Sequence, residues 1–208
     1  MITVMEKATR SHLHADKAVT ARRNMEKDFN PSSELMFIIA PPKGIAEYVA
    51  FLKSHVRSAL GHSFEGETAK AHISLFSFRD EHAEDLLYRI DSKVSSLSPF
   101  HVHIKNLNYF DDGDTRTIYL EVVHKNPICE IVENVLDQPA QPDFTPYITI
   151  ARNLEINDFM KAWKSLKNLS YSDYFRCDHI TVLKKAEPAR SRGTTGKWVH
   201  YIDLSFAA

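Results

Sequence analysis

Cysteine is scarce in this chain, with only Cys129 and Cys177 among 208 residues. At this length about 70% of the extended chain's surface is buried on folding, so a core forms without disulfide staples. Two thiols in such a chain fit a reducing cytoplasm, which is the expected location. Whether the two are bonded is open at this stage. Glycine is also scarce, at six residues, and no Gly-rich phosphate loop of the P-loop or dinucleotide type occurs. Long apolar runs are missing. The longest, Leu35 to Ala40, falls far short of the ~20 residues that span a bilayer. The first residues carry Glu6, Lys7, Arg10, His12 and Asp16, with no continuous apolar signal core. Neither sign of charge dominates. Lys plus Arg number 26 and Asp plus Glu 27, a net charge of −1, so any attraction to polyanions must come from a local patch. The 11 histidines include no H-E-x-x-H or similar zinc-ligand pair. What remains is 43% hydrophobic and 25% charged, the usage of a globular protein rather than of a disordered, collagenous or coiled-coil chain.

Residues 1–33 are polar and end in the stop signal Asn30-Pro31-Ser32-Ser33; they read as an appendage to a single domain over 34–208. Leu35 to Ala40 reads as a buried strand closed by Pro41-Pro42. A helix follows with Ile45, Tyr48, Val49, Leu52 and Val56 on one stripe and Gly61 as its stop. A strand over Lys70–Phe78 and a helix over Glu81–Leu97 come next. The strands Phe100–Phe110 and Thr117–His124 are joined by a hairpin at Asp111-Asp112-Gly113-Asp114. The second half repeats the pattern: helix Pro127–Asp137, strand Pro146–Leu154, and helix Asn157–Leu169 with Asn157 as N-cap. Two closing strands, Tyr174–Lys185 and Lys197–Phe206, flank a basic connection with Arg190 and Arg192. Strands alternating with helices, together with hairpins, predict an α+β fold with mixed or antiparallel sheets.

Two segments look like copies 75 residues apart: Ala71-His72-Ile73-Ser74-Leu75-Phe76 and Pro146-Tyr147-Ile148-Thr149-Ile150-Ala151. In each, a ring-bearing polar residue and a hydroxyl residue stand at i and i+2. In a strand that spacing puts both on one face, with Ile73, Leu75, Ile148 and Ile150 on the other. A hydroxyl donates to a phosphoryl oxygen, and an imidazole exchanges a proton near neutrality. His72 is therefore the candidate catalytic residue, and Ser74, Tyr147 and Thr149 are candidate substrate-binding residues.

The two strands resemble those of the 2H phosphoesterase superfamily, which includes the bacterial RNA 2′,5′-ligase and cyclic phosphodiesterase-like proteins. That family carries two H-x-[ST]-hydrophobic tetrads, one per lobe. His72-Ile73-Ser74-Leu75 matches the first in full. Phe144-Thr145-Pro146-Tyr147-Ile148-Thr149-Ile150-Ala151-Arg152 is similar to the second, except that Tyr147 stands where the family has its second histidine. The resemblance spans about residues 34–206. It implies a bilobal fold of duplicated β/α modules, with two mainly antiparallel sheets flanking a central groove. It also implies chemistry at a ribose 2′ phosphodiester, run by one histidine as base and the other as acid, without metal or cofactor.

Tyr147 weakens that implication. A phenol has a reference pKa of about 10 and keeps its proton at neutral pH, so it donates a hydrogen bond readily but is a poor general acid. His101 and His103, on one strand face, and His179, beside Asp178, are poor candidates to replace the missing group. Three readings follow, of which the blandest is a structural scaffold with no retained ligand; the other two carry chemistry. One is a metal-independent phosphodiesterase acting on 2′,3′-cyclic or 2′,5′-linked nucleotides or RNA ends, impaired by the Tyr147 change. The other is a catalytically degenerate module that binds the same nucleotide or RNA phosphate without turnover. A membrane partner is not expected. Oligomeric state is open, with a monomer the favoured reading.

Overall fold

The computed structural model describes residues 34–79, 83–141, 143–186 and 197–207. The expected appendage over 1–33, and Arg190 and Arg192 of the basic connection, lie outside the described residues. The elements run β1 (Glu34–Ile39), α1 (Lys43–Leu60), β2 (Ile73–Arg79), α2 (Ala83–Val94), β3 (Phe100–Asp111) and β4 (Thr115–Val123). They continue with α3 (Asn126–Leu136), β5 (Tyr147–Glu155), α4 (Ile156–Leu166), β6 (Ser172–Cys177), β7 (His179–Lys185) and β8 (Trp198–Ser205). This is the α+β class the sequence predicts.

Local chemistry accounts for several boundaries. Pro41 and Pro42 end β1, and Pro42 leads into α1 with its carbonyl accepting from Ala46 N–H at 3.1 Å. Gly61 closes α1 in the left-handed region, φ 77°, its N–H donating to Arg57 O; glycine takes that conformation without a Cβ penalty. The β3–β4 hairpin turns through Gly113 at φ 80°, with Asp112 N–H on Thr115 O at 3.1 Å. Asn157 is not the cap of α4. The helix starts one residue earlier, behind Glu155, with no side-chain cap bond.

The eight strands form one curled sheet in the order β6-β3-β4-β5-β2-β1-β7-β8. Every pairing is antiparallel. Two separate sheets were expected; instead two four-stranded halves meet where β2 pairs β5 at the single position Ile73 opposite Ile148. Joining the halves there satisfies strand edges that would otherwise lie unpaired. Exchanging β1–α1–β2–α2 with β4–α3–β5–α4 maps the four central strands, β4-β5-β2-β1, onto the same order reversed, and the helix pairs follow, α1 packing on α4 and α2 on α3.

The segment expected as one strand, Tyr174–Lys185, is two. β6 lies at one end of the sheet against β3, and β7 lies in the other half against β1. Inward alternation changes phase at Asp178: Phe175 and Cys177 are buried before it, Ile180 and Val182 after it.

The helices cover one sheet face. The core there takes Ile45, Val49, Leu52 and Val56 from α1, Ile128, Ile131 and Val135 from α3, and Phe159, Ala162 and Leu166 from α4. These pack on Ile73, Ile118, Leu120, Ile148, Ile150 and Val182 of the strands. Both cysteines are free thiols; Cys177 is buried, and burial pushes its pKa up to about 12. Among the described residues no helix is long and apolar enough to cross a membrane.

Candidate active site

Residues opposite one another in an antiparallel ladder share a face. Ile73 and Ile148 are fully buried toward the helices, so the residues on either side of them point to the open face. The register then sets His72 beside Thr149 and Ser74 beside Tyr147. The four candidates thus form the corners of a rectangle astride the join between the halves. Its rungs are about 5 Å and its diagonals about 7–8 Å between Cα atoms, so His72 and Tyr147 face a common space from opposite corners.

His72 is the last residue before β2 rather than a member of it. Its ring is fixed locally. Nδ1 lies 2.8 Å from the carbonyl oxygen of Lys70. A carbonyl only accepts, so Nδ1 carries the proton and Nε2 holds the lone pair of the neutral ring. Burial lowers the pKa of His72 below the ordinary histidine value. The Lys70 carbonyl opposes that shift, and the cations Arg152 and Lys53 add to it. At pH 7 the ring is therefore neutral, with its basic nitrogen available.

Tyr147 sits in an aromatic cluster. Its ring centroid is 5.0 Å from Phe110 and 5.1 Å from Tyr119, and those two stack at 4.2 Å. Tyr119 pairs with Thr149 and Glu121 with Tyr147 across β4–β5. Tyr119 is buried, which raises its pKa, with Glu121 and Tyr147 adding to the shift.

Two further residues belong here that the motif reading left without a role. Arg152 follows Thr149 on β5 and places its charge within electrostatic reach of His72. Its N–H donates to Glu65 O at 3.0 Å, the two residues forming an isolated antiparallel bridge beyond the β2–β5 join. Lys53 sits on the apolar stripe of α1, only 6% exposed. Its Nζ donates to the carbonyls of Gly66 and Ala69, each at 2.6 Å. Burial, and then Arg152, lower its pKa to about 8. Lys53 thus ties down the segment that ends at His72. Gly66 within it has φ 90° and runs against β5, where a Cβ would come 3.8 Å from Thr149 Cγ2. A lysine amid the pattern Val49, Leu52, Val56 was the readable signal for this role.

A cavity of about 730 Å³ lies between α1 and residues 67–71, lined by Lys53, Arg57 and Lys70. None of Ser74, Tyr147 and Thr149 lines it. The other histidines considered are elsewhere: His179 Nδ1 is 2.7 Å from Asp178 Oδ1 at the start of β7, and His101 and His103 lie on β3.

The fold and this constellation define a class, an antiparallel α+β protein whose two halves each bring a polar pair to one junction. The model of the 2′-5′ RNA ligase superfamily matches residues 41–189, and the chain belongs to that superfamily. TT0787 of Thermus thermophilus has a similar structure, with a TM-score of 0.59 at 12% identity over 83% of this chain and 97% of that one. E. coli LigT, solved in complex with 3′-AMP and with ATP, superposes with a TM-score of 0.56 at 14% identity, over 85% of this chain and 99% of LigT. At such identities these likenesses speak for the fold. Among curated proteins none matches.

Proposed function

We propose that the chain is a phosphodiesterase acting on 2′,3′-cyclic or 2′,5′-linked nucleotides or RNA ends, with no metal or cofactor required. The observation that carries this reading is His72, whose Nδ1 lies 2.8 Å from Lys70 O, leaving the lone pair on Nε2, one residue from the position where β2 meets β5. LigT's complexes with 3′-AMP and phosphate are in keeping with a phosphate-bearing ligand.

In hydrolysis, the Thr149 and Ser74 hydroxyls donate to phosphoryl oxygens and Arg152 offsets their charge. Nε2 of His72 takes a proton from water as the water oxygen bonds to phosphorus. The bond from phosphorus to the ribose oxygen breaks, and that oxygen takes a proton from the Tyr147 hydroxyl or from solvent. The resulting imidazolium and any phenolate return to their starting states by exchange with water.

One observation favours the second reading, a binding module without turnover. Tyr147 is packed against the stacked pair Phe110 and Tyr119, which gives it a structural use apart from proton transfer. The deciding experiment measures hydrolysis of a 2′,3′-cyclic nucleotide by the parent and by His72→Ala, with chelator present. Turnover lost in His72→Ala supports the enzyme. Nucleotide binding without turnover in the parent supports the module, and absence of both rejects each reading.

A further inference from the structure

The open face does not end at Tyr147. Following the ladder outward from β5, Tyr147 pairs Glu121, Glu121 pairs Lys105, and Lys105 pairs Ser172. On the same face, one step and two steps along β3, His103 pairs Tyr174 and His101 pairs Arg176. Alternating with them, Val102 and Ile104 are buried toward the helices. His124, just past β4 and in the left-handed region at φ 57°, brings its ring to 5.6 Å from His103. Tyr174 is 62% exposed, near-parallel to His103 at 5.6 Å and edge-on to His101 at 5.6 Å.

This patch is a set of flat rings flanked by two cations, Arg176 and Lys105, with Glu121 the one carboxylate paired into it. Asp173, the neighbouring acid on β6, pairs with buried Ile104, and the Tyr171 hydroxyl donates to it from the helix side. Among the described residues no three His, Cys, Asp or Glu side chains converge as metal ligands, so the imidazoles are not explained by a metal site. Exposed rings interleaved with cations are what a single strand of nucleic acid requires: bases stack on the rings and phosphates meet the cations. The patch lies two to three strand spacings from β5, about 10–14 Å.

We infer that the open face of β3, β4 and β6, built on Tyr174, His103, His101 and Arg176, is a track for the nucleotides of a single-stranded RNA that flank the phosphate held at His72 and Thr149. The inference deepens the proposed function and rests on it for the position of that phosphate. It makes an oligonucleotide, rather than a free mononucleotide, the preferred ligand.

The test compares a hexaribonucleotide ending in a 3′-phosphate with 3′-AMP, neither of which carries a 2′,3′-cyclic or 2′,5′ linkage, by fluorescence anisotropy and calorimetry on the full chain. The hexamer binds more tightly than 3′-AMP. Tyr174→Ala weakens the hexamer about 5-fold or more, the lower bound for losing one base stack, and leaves 3′-AMP unchanged. Tyr174→Phe retains hexamer affinity, which separates stacking from loss of the strand. Arg176→Ala makes the slope of log affinity against log salt shallower by about 0.7 for the hexamer. A hexamer that binds no better than 3′-AMP, or one indifferent to Tyr174→Ala, overturns the track while leaving the phosphate site standing. Competition by hexaglutamate as strong as by RNA also overturns it, since charge alone would then suffice. If the hexamer binds and loses affinity in the Tyr174 and Arg176 variants while 3′-AMP does not bind, the track stands and the phosphate site at His72 falls.

Discussion

Replacing Tyr147 by His supplies a second imidazole at the position where the resembled motif has one. In the parent, the ring makes two aromatic contacts, with Phe110 at 5.0 Å and Tyr119 at 5.1 Å. Such contacts contribute about 0.5–1.5 kcal/mol each beyond area burial. Their complete loss costs about 1–3 kcal/mol, within the 5–15 kcal/mol stability usual for a domain. The imidazole is smaller than the phenol and keeps a flat ring, so the variant folds. A second group titrating near pH 6.5 then stands diagonally across from His72, and general acid–base assistance contributes about 10²–10⁴ in rate. Hydrolysis of a 2′,3′-cyclic nucleotide at pH 6–8, with chelator present, is expected to rise by about 10²-fold or more. The gain vanishes in the Tyr147→His, His72→Ala double variant, because one imidazole cannot serve as acid and base in the same step. Thermal unfolding recorded alongside separates misfolding from failed chemistry. A folded variant that binds nucleotide and is no faster than the parent refutes the reasoning, as does a parent that already turns over at a rate typical of enzymes.

The direction of the His72 shift has a pH consequence. Its folded pKa lies below the ordinary value, so the acid limb of kcat/KM falls below pH 6.5, and a limb at or above 6.5 counts against His72 as base. The same shift means that the unfolded chain binds the extra proton first: His72 penalises the fold progressively as pH drops below about 6.5, and that part of the pH dependence disappears in His72→Ala. Removing a neighbouring cation favours the imidazolium, so Arg152→Gln moves the His72 titration upward in an NMR series and weakens phosphate binding; a downward or null shift refutes the contact. Ser74→Ala with Thr149→Ala removes two donors to the phosphate and lowers nucleotide affinity by about 30-fold, at about 1 kcal/mol for each of the two hydrogen bonds; unchanged calorimetric affinity rejects their assignment. Lys53→Met removes the charged donor from the Gly66 and Ala69 carbonyls, leaving Gly66 O only the Ala69 N–H, and costs at least about 1.5 kcal/mol in urea unfolding, the lower bound for a hydrogen bond to a charged group.

The features legible in the sequence were those set by local pattern. The stripe on α1, the glycine stop at Gly61 and the turn at Gly113 each depend on residues within a few positions of one another. His101 and His103 stand on one strand face by the same two-residue rule. The placement of β2 beside β5 is of a different kind. Nothing local makes Ile73 the partner of Ile148; only the likeness between two segments 75 residues apart pointed to it.

Where reading failed, the signal was sometimes present. Tyr174–Lys185 looks like one β-rich run, but its inward residues change phase at Asp178, and a strand cannot change the face it buries without a break or a bulge. That single phase change separates β6 from β7 and sends them to opposite halves of the sheet. It is also what leaves β6 at an edge, pairing only with β3, so that Tyr174 and Arg176 extend the open face beyond Tyr147 instead of being covered by another strand. Lys53 broke the apolar stripe of α1 just as visibly, and the break marks the clamp on the segment that carries His72. Tyr147 offers no such signal. Its neighbours Phe110 and Tyr119 come from β3 and β4, and only the folded ladder brings their rings together. Tyr147, a phenol where the resembled motif has an imidazole, thus completes an aromatic cluster, and Tyr147→His sets proton exchange against packing at a single position.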